Sequence, residues 1–143
     1  MRWPIYQASQ VLHHNGVIAY PTETVWGLGC NPRQGAALQR LLELKKRDAQ
    51  KGLILIAGDI QQFDFLLKHL TPKQIDLLKA SWPGPVTWLV PHHGEVHPLV
   101  HGRFATVAIR VSNNKLVRDL CREFGGPIVS TSANEAGQVT VKN

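Results

Sequence analysis

Residues 17–29 read VIAYPTETVWGLG, a short apolar run followed by a proline, two threonines, a carboxylate, an indole and two glycines. The apolar part, residues 17–20, predicts a short buried strand. The residues after it would bring hydroxyls and backbone amides to a surface, whereas ordinary strand-to-helix connections are short and simply polar. Two interpretations remain open from this stretch alone: an elaborate turn, or one wall of a binding site.

Helical and strand patterns alternate on both sides of this stretch. Apolar spacing and capping residues predict helices over residues 4–15, 36–46, 59–70 and 71–81, and a further helix that is capped by Asn113 or Asn114. Apolar runs predict strands over residues 52–57, 86–90, 105–111 and 128–132. The alternation predicts an α/β fold, a twisted open mixed sheet flanked by helices, with residues 1–143 forming a single domain.

The charge balance favours anionic partners. The chain of 143 residues has 16 Lys and Arg against 10 Asp and Glu, which gives a formal net charge of +6. Such an excess favours nucleotides, RNA or pyrophosphate as ligands, although a basic surface without a dedicated ligand would have the same composition.

Other residue types exclude several classes. Cys30 and Cys121 match no zinc or redox spacing, which predicts a reduced, cytoplasmic protein. No apolar run approaches the length of a membrane span, so no membrane association is expected. Four histidines fall within residues 91–104, which predict an exposed loop, but no cluster of Cys or Asp supports a metal site there.

Three groups of polar residues could form one site. They are the threonines Thr22 and Thr24, the cations Lys45, Arg47 and Lys51, and the polar residues Ser130, Ser132 and Asn134, which a period of two places on one strand face. Each group also has an ordinary structural interpretation: a turn, solvated cations at the end of a helix, and a polar edge or helix cap.

Arg110 strengthens the interpretation as a site, because a charge at the end of a buried strand rarely lacks a partner. Several converging cations are what a triphosphate requires when its phosphorus is attacked. The sequence has no Gly-Lys-Ser/Thr phosphate loop and no Gly-x-Ser-x-Gly elbow. Ser130 and Ser132 therefore read as binding groups instead of nucleophiles.

Five motifs follow one another in the chain: residues 20–29, Leu44 to Arg47 with residues 51–54, residues 82–87, residues 107–111 and residues 130–134. In this order they resemble the YrdC-like threonylcarbamoyl-adenylate synthases, in their short bacterial single-domain form. The resemblance implies the YrdC-like fold with a basic concave site. It also implies synthesis of threonylcarbamoyl-AMP and pyrophosphate from L-threonine, bicarbonate or carbon dioxide, and ATP, for N6-threonylcarbamoyladenosine at position 37 of tRNAs that read codons beginning with A.

The resemblance also implies roles for individual residues. Thr22, Arg110 and Ser130 would hold L-threonine, while the ATP and its phosphates would contact Lys45, Arg47, Lys51, Thr106, Ser132 and Asn134, with Thr140 as a further contact. Mg²⁺ would arrive with ATP. Further implied partners are tRNA or double-stranded RNA and the threonylcarbamoyl-transferase complex.

This sequence departs from the family pattern in three places. Asp48 stands where a proline is usual, residues 135–136 replace a commoner Leu-Ser pair, and the chain ends at Asn143, before the family's usual C-terminal elements. Two alternatives to the enzyme remain: a non-catalytic RNA-binding module, which the net charge of +6 favours, and an inactive truncated relative, which the early end of the chain favours.

Overall fold

The computed structural model describes residues 4–21, 26–131 and 138–140, the last three by their backbone alone. The helices are α1 (Ile5–His13), α2 (Gly35–Lys45), α3 (Asp64–Leu67), α4 (Pro72–Ser81), α5 (Pro98–His101) and α6 (Lys115–Phe124). The strands are β1 (Val17–Pro21), β2 (Trp26–Cys30), β3 (Ile54–Ala57), β4 (Thr87–Pro91), β5 (Thr106–Val111), β6 (Ile128–Ser130) and β7 (Gln138–Thr140).

The strands of the described residues form one mixed sheet in the order β1-β2-β6-β3-β5-β4-β7. The pairs β3–β5 and β4–β7 are parallel, and the other neighbouring strands are antiparallel. Helices flank this sheet, so the predicted α/β class with a mixed sheet is confirmed.

The two sheet faces carry separate apolar clusters, because side chains alternate between the faces of a strand. On one face, Leu55, Ile109 and Val129 belong to a large apolar cluster. This cluster also contains buried residues of α2, α3 and α4. The opposite face places Ile18, Tyr20, Ile56 and Ile128 against α1 and α6. The helices α1 and α6 thus cover the β1–β6–β3 part of this second face.

Two helix starts follow from their sequence. Thr71 and Gln74 form a reciprocal capping box before Pro72, as the Thr-Pro-Lys-Gln pattern predicts. The cap of α6 is Asn114, whose Oδ1 accepts from the Val117 backbone N–H at 3.2 Å. Of the two residues that the sequence offers as the cap of this helix, Asn113 and Asn114, the structure therefore selects Asn114.

The structure corrects three predicted elements. Residues 59–70 form a 3₁₀ turn and the short α3 instead of one helix, and Asp59 makes no side-chain cap, since its carboxylate pairs with Arg122. The predicted exposed loop over residues 91–104 contains α5, whose Val100 is buried. Strand β2 lies where a turn was one interpretation, and β7 follows the predicted final strand.

Candidate functional site

The strand directions bring several chain segments to one edge of the sheet. The C-terminal ends of β1 and β6 and the N-terminal ends of β3 and β5 all lie there, as the registers Gly29↔Ser130, Ile54↔Ser130 and Ile54↔Ala108 require. In chain order Thr22 follows β1, Lys51 precedes β3, and Thr106 begins β5. Polar residues from distant parts of the sequence therefore belong to one edge.

A cavity of about 420 Å³ lies at this edge, on the sheet face that α1 and α6 leave open near β3 and β5. Its floor includes Ile54, Leu89 and Ala108, which the register places on the same face. Its remaining lining residues are Arg47, Lys51, Gly52, Leu53, Val100, His101, Phe104, Thr106 and Val107. Three of the predicted ATP-binding residues, Arg47, Lys51 and Thr106, thus line one cavity.

The turn that carries Lys51 is fixed by backbone contacts. The Leu53 N–H donates to the Val100 carbonyl at 2.7 Å, and the Arg103 N–H donates to the Gln50 carbonyl at 3.1 Å. These bonds join the 3₁₀ turn Ala49–Lys51 to α5 and the residues after it. The exposed ammonium of Lys51 is therefore held beside the cavity by a constrained main chain.

Asp48 has a local role in the same turn. Its Oδ1 accepts from the Gln50 N–H at 2.9 Å and caps the 3₁₀ turn. Arg47, the residue before Asp48, donates from Nε to the Gly52 carbonyl at 3.1 Å. The carboxylate at position 48, which departs from the family pattern, thus stabilises the turn that presents Lys51.

A buried pair of hydroxyls adjoins the cavity floor. The Tyr20 hydroxyl is hydrogen-bonded to Ser130 Oγ, and both side chains are about 98–99% buried, with exposures of 1% and 2%. Ser130 is directly opposite Ile54, a residue of the cavity floor. Directly opposed side chains in an antiparallel pair have Cβ atoms roughly 4.5–5.5 Å apart. Ser130 therefore lies at the margin of the cavity.

Arg110 belongs to the same group. It is half-buried on β5, and alternation places it on the face that carries Thr106 and Ala108. Burial raises the pKa of the Tyr20 hydroxyl, while the hydrogen bond to Ser130 and the charge of Arg110 both lower it. Arg110 is thus close enough to Tyr20 to act on it electrostatically.

The remaining predicted residues are distributed as follows. Lys45 is exposed in the last turn of α2 and is not among the described residues that line the cavity. Thr22, Thr24, Ser132 and Asn134 lie outside the described residues, and the structure describes Thr140 by its backbone in β7 alone. The structure brings Arg47, Lys51 and Thr106 together at the cavity, with Ser130 and Arg110 on the adjoining sheet face.

Sequence reasoning missed two kinds of residue. Tyr20, the partner of Ser130, was read only as part of a motif, although a tyrosine in an apolar run needs a partner for its hydroxyl when buried. His101 and Phe104, which line the cavity, were assigned to an exposed loop. Their nearness to Lys51 depends on the backbone contacts between α5 and the 3₁₀ turn, which local sequence patterns do not encode.

Four histidines form two pairs of packed rings. His92 stacks on His101 with ring centroids 3.9 Å apart, and His69 lies 4.1 Å from His93. His92 Nδ1 accepts from the Gly94 N–H at 2.9 Å. Within residues 4–21 and 26–131, no three His, Cys, Asp or Glu side chains form a group that could hold a metal ion.

The fold and this edge define a class: an α/β protein with a mixed sheet, one face of which is open over a cavity lined by cations and a hydroxyl. None of its helices, over the part of the chain that the structure describes, has the length and apolar composition of a membrane span. The Sua5_yciO_yrdC family model, whose description is "Telomere recombination", matches residues 10–143, and the chain belongs to this family.

Curated relatives support this membership across nearly the whole chain. A threonylcarbamoyl-AMP synthase of Saccharophagus degradans is 56% identical over 137 residues, which cover 96% of this chain and 72% of that protein. A threonylcarbamoyl-AMP synthase of Stutzerimonas stutzeri is 50% identical over 141 residues, covering 99% and 76% of the two chains.

Among solved structures, P. abyssi Sua5 in complex with L-threonine superposes with a TM-score of 0.82 at 27% identity. The superposition covers all of this chain and 48% of Sua5, so this chain spans about half the length of that protein. The shared part includes the whole mixed sheet described above, which confirms the predicted YrdC-like fold. The basic concave character of the site stays a prediction.

Proposed function

We propose that this chain is a threonylcarbamoyl-AMP synthase, which joins L-threonine, bicarbonate or carbon dioxide, and ATP, and releases pyrophosphate. The observation that carries the proposal is the placement of Ser130 beside Ile54. This contact joins the buried hydroxyl group to the cavity that Arg47, Lys51 and Thr106 line. We call the group around Ser130 and Arg110 the amino-acid end, and the cavity around Arg47 and Lys51 the phosphate end. The two ends then lie next to each other, as a reaction between the two substrates requires.

At the amino-acid end, L-threonine would contact Thr22, Arg110 and Ser130. A guanidinium matches the planar geometry of a carboxylate and can donate to both of its oxygens. The Ser130 hydroxyl, which the sheet fixes at the margin of the cavity, can donate or accept one hydrogen bond beside it.

At the phosphate end, Arg47 and Lys51 would face the ATP triphosphate together with Lys45, while Thr106, Ser132, Asn134 and Thr140 would hold the nucleotide. The cavity gives this assignment physical support, since Arg47, Lys51 and Thr106 line it and its apolar floor suits a base or ribose. Cations near the phosphates stabilise the charge that develops when a phosphorus is attacked.

The proposed reaction has two steps. The threonine amine attacks carbon dioxide and releases one proton to solvent, or attacks bicarbonate with loss of water, and forms a carbamate. A carbamate oxygen then bonds to the α-phosphorus of ATP, and the bond between that phosphorus and the bridging oxygen breaks to release pyrophosphate. The protein contributes positioning and positive charge in this scheme. Mg²⁺ would travel with the triphosphate, since that ion draws most of its ligands from phosphates and water.

The product would feed the N6-threonylcarbamoyl modification of adenosine 37 in tRNAs that read codons beginning with A. The threonylcarbamoyl-transferase complex would be the partner that uses it, in the cytoplasm. The net charge of +6 is compatible with direct contact to tRNA or double-stranded RNA, because a basic surface attracts the phosphate backbone.

The test is pyrophosphate release by the purified chain with ATP and Mg²⁺. Release should require both L-threonine and bicarbonate, and it should fall to background when either is omitted. L-Alanine in place of L-threonine is the control for the amino-acid end. Release that continues without L-threonine would contradict the proposal, as would salt-dependent RNA binding without any pyrophosphate release.

A further inference from the structure

Tyr20 is a buried polar side chain to which the proposed function assigns no task. Its ring is 1% exposed, and its hydroxyl bonds to Ser130, which lies 110 positions later in the sequence. The two residues are not on neighbouring strands, because β2 lies between β1 and β6. The tyrosine side chain must therefore cross a whole strand to reach Ser130.

Strand β2 makes room for this crossing. A Cβ atom at Gly27 would lie 2.7 Å from Tyr20 Cζ, and one at Gly29 would lie 3.2 Å from Tyr20 Cε1. Any side chain at position 27 would displace the ring, since real Cβ atoms do not approach other heavy atoms so closely. The two glycines thus leave the space that the tyrosine ring occupies on its way to Ser130.

The shared hydrogen bond constrains both hydroxyls. Either hydroxyl could be the donor by geometry alone. In both cases Ser130 Oγ is held at the end of the buried Tyr20 side chain, and the strand register places Ser130 on the sheet face that carries Arg110.

We propose that Tyr20 is the positioning residue of the amino-acid end: its hydrogen bond with Ser130 Oγ holds the Ser130 hydroxyl where it contacts bound L-threonine. This inference rests on the proposed function, in which Ser130 and Arg110 contact L-threonine.

The experiment removes only the tyrosine hydroxyl. Calorimetry compares binding of L-threonine, and separately of ATP with Mg²⁺, to the unsubstituted chain and to Tyr20→Phe. Tyr20→Phe should weaken L-threonine binding about three- to tenfold, the effect of one neutral hydrogen bond, and should leave ATP affinity within about twofold. The matched control is Tyr6→Phe, at the other tyrosine of the chain, which is 62% exposed and should change neither affinity.

A double-mutant cycle tests whether Tyr20 acts through Ser130. In a Ser130→Ala background, Tyr20→Phe should cost no further L-threonine affinity, because the hydroxyl that it positions is already gone. Fully additive costs would overturn the inference, as would an unchanged L-threonine affinity in Tyr20→Phe. An equal loss of ATP affinity would also overturn it, because a merely structural defect would affect both ligands.

The outcomes separate this inference from the proposed function. If the unsubstituted chain does not bind L-threonine, the proposed function fails and the inference falls with it. If that chain binds L-threonine and Tyr20→Phe binds it equally well, only the inference fails. Circular dichroism checks that Tyr20→Phe is folded; if it is not, Ser130→Ala alone must weaken L-threonine binding while sparing ATP, and an unchanged affinity overturns the inference.

Discussion

At the scale of single residues, the structure separates cations that line the cavity from one that does not, a distinction that the sequence could not make. Lys45, Arg47 and Lys51 follow one another within seven residues, and the sequence assigns them the same role. In three dimensions Arg47 and Lys51 line the cavity, while Lys45 is exposed at the end of α2. Arg47 also supports the Gly52 carbonyl, so its removal would change the turn as well as the charge. Lys51 is therefore the cleanest probe of the phosphate end.

Lys51→Ala is predicted to weaken ATP binding by about tenfold or more, because a hydrogen bond to a charged group contributes about 1.5–3 kcal/mol. Calorimetry with ATP and Mg²⁺ measures this loss. Lys79→Ala removes the same charge from an exposed position on α4 and should leave the affinity within about twofold. Equal effects of the two substitutions would indicate that Lys51 contributes only to the general field of the protein.

At the scale of elements, most of the fold follows from local sequence signals. The Thr-Pro-Lys-Gln box and the apolar runs of β3 and β5 have strong patterns, and the structure has the corresponding helix and strands. Strand β2 was not predicted, because glycines at positions 27 and 29 have low strand propensity and resemble a turn. Those glycines are explained by the tyrosine ring packed over them, which is a long-range contact. Asp59, the first residue of the helix predicted over residues 59–70, similarly makes no side-chain cap, because arginines that are distant in the sequence bind it.

The candidate site also combines features that local sequence predicts with features that depend on long-range contacts. The residue types and their order predict the cations and Ser130 as candidates, since each belongs to a short motif. Their assembly depends on the register between β6, β3 and β5, which is set by packing on both faces of the sheet. The contributions of His101 and Phe104 come from that assembly and have no local pattern, whereas the place of Tyr20 in an apolar run was a usable local signal.

Strand β2 supplies a prediction about stability. Gly27→Ala is predicted to lower the free energy of unfolding by about 1–3 kcal/mol, because the added methyl group would overlap the Tyr20 ring. Urea denaturation followed by circular dichroism measures the change. Gly126→Ala is the matched control: a Cβ there has no neighbour within 4 Å, so the change should stay within about 1 kcal/mol. A Gly27→Ala variant as stable as this control would show that the ring can shift without cost.

At the scale of the whole molecule, the sheet face that carries the site has one part that helices cover and one part that is open. Helices α1 and α6 cover its β1–β6–β3 part and form a cluster around Ile56, Leu120 and Ile128. The neighbouring part over β3, β5 and β4 stays open as the cavity. The position of α6 therefore determines where the covered part ends and the site begins.

Asp59 connects α6 to the end of β3 through charge. It follows the strand by two residues, and its carboxylate accepts from Arg122 Nε and from a second nitrogen of that guanidinium, each at 3.0 Å. Arg118 adds a contact at 3.5 Å, and Asp119 lies 3.9 Å from Arg122. The hydrogen bond from Arg122 is the main cause that lowers the pKa of Asp59, and the charges of Arg122 and Arg118 act in the same direction.

The lowered pKa of Asp59 determines the direction in which its contribution to folding stability changes with pH. A carboxyl group whose pKa is lower in the folded state contributes stability above its unfolded pKa of about 3.9, and that contribution is lost as the pH falls through the folded value. The coupling free energy between Asp59→Asn and Arg122→Gln, measured by a double-mutant cycle in urea, should therefore be stabilising at neutral pH and should decline below pH of about 4. Because these groups are exposed to solvent, the coupling should be small and should shrink in high salt. A coupling that is unchanged between neutral and strongly acidic pH would mean that the ion pair between Asp59 and Arg122 does not hold α6 to the end of β3.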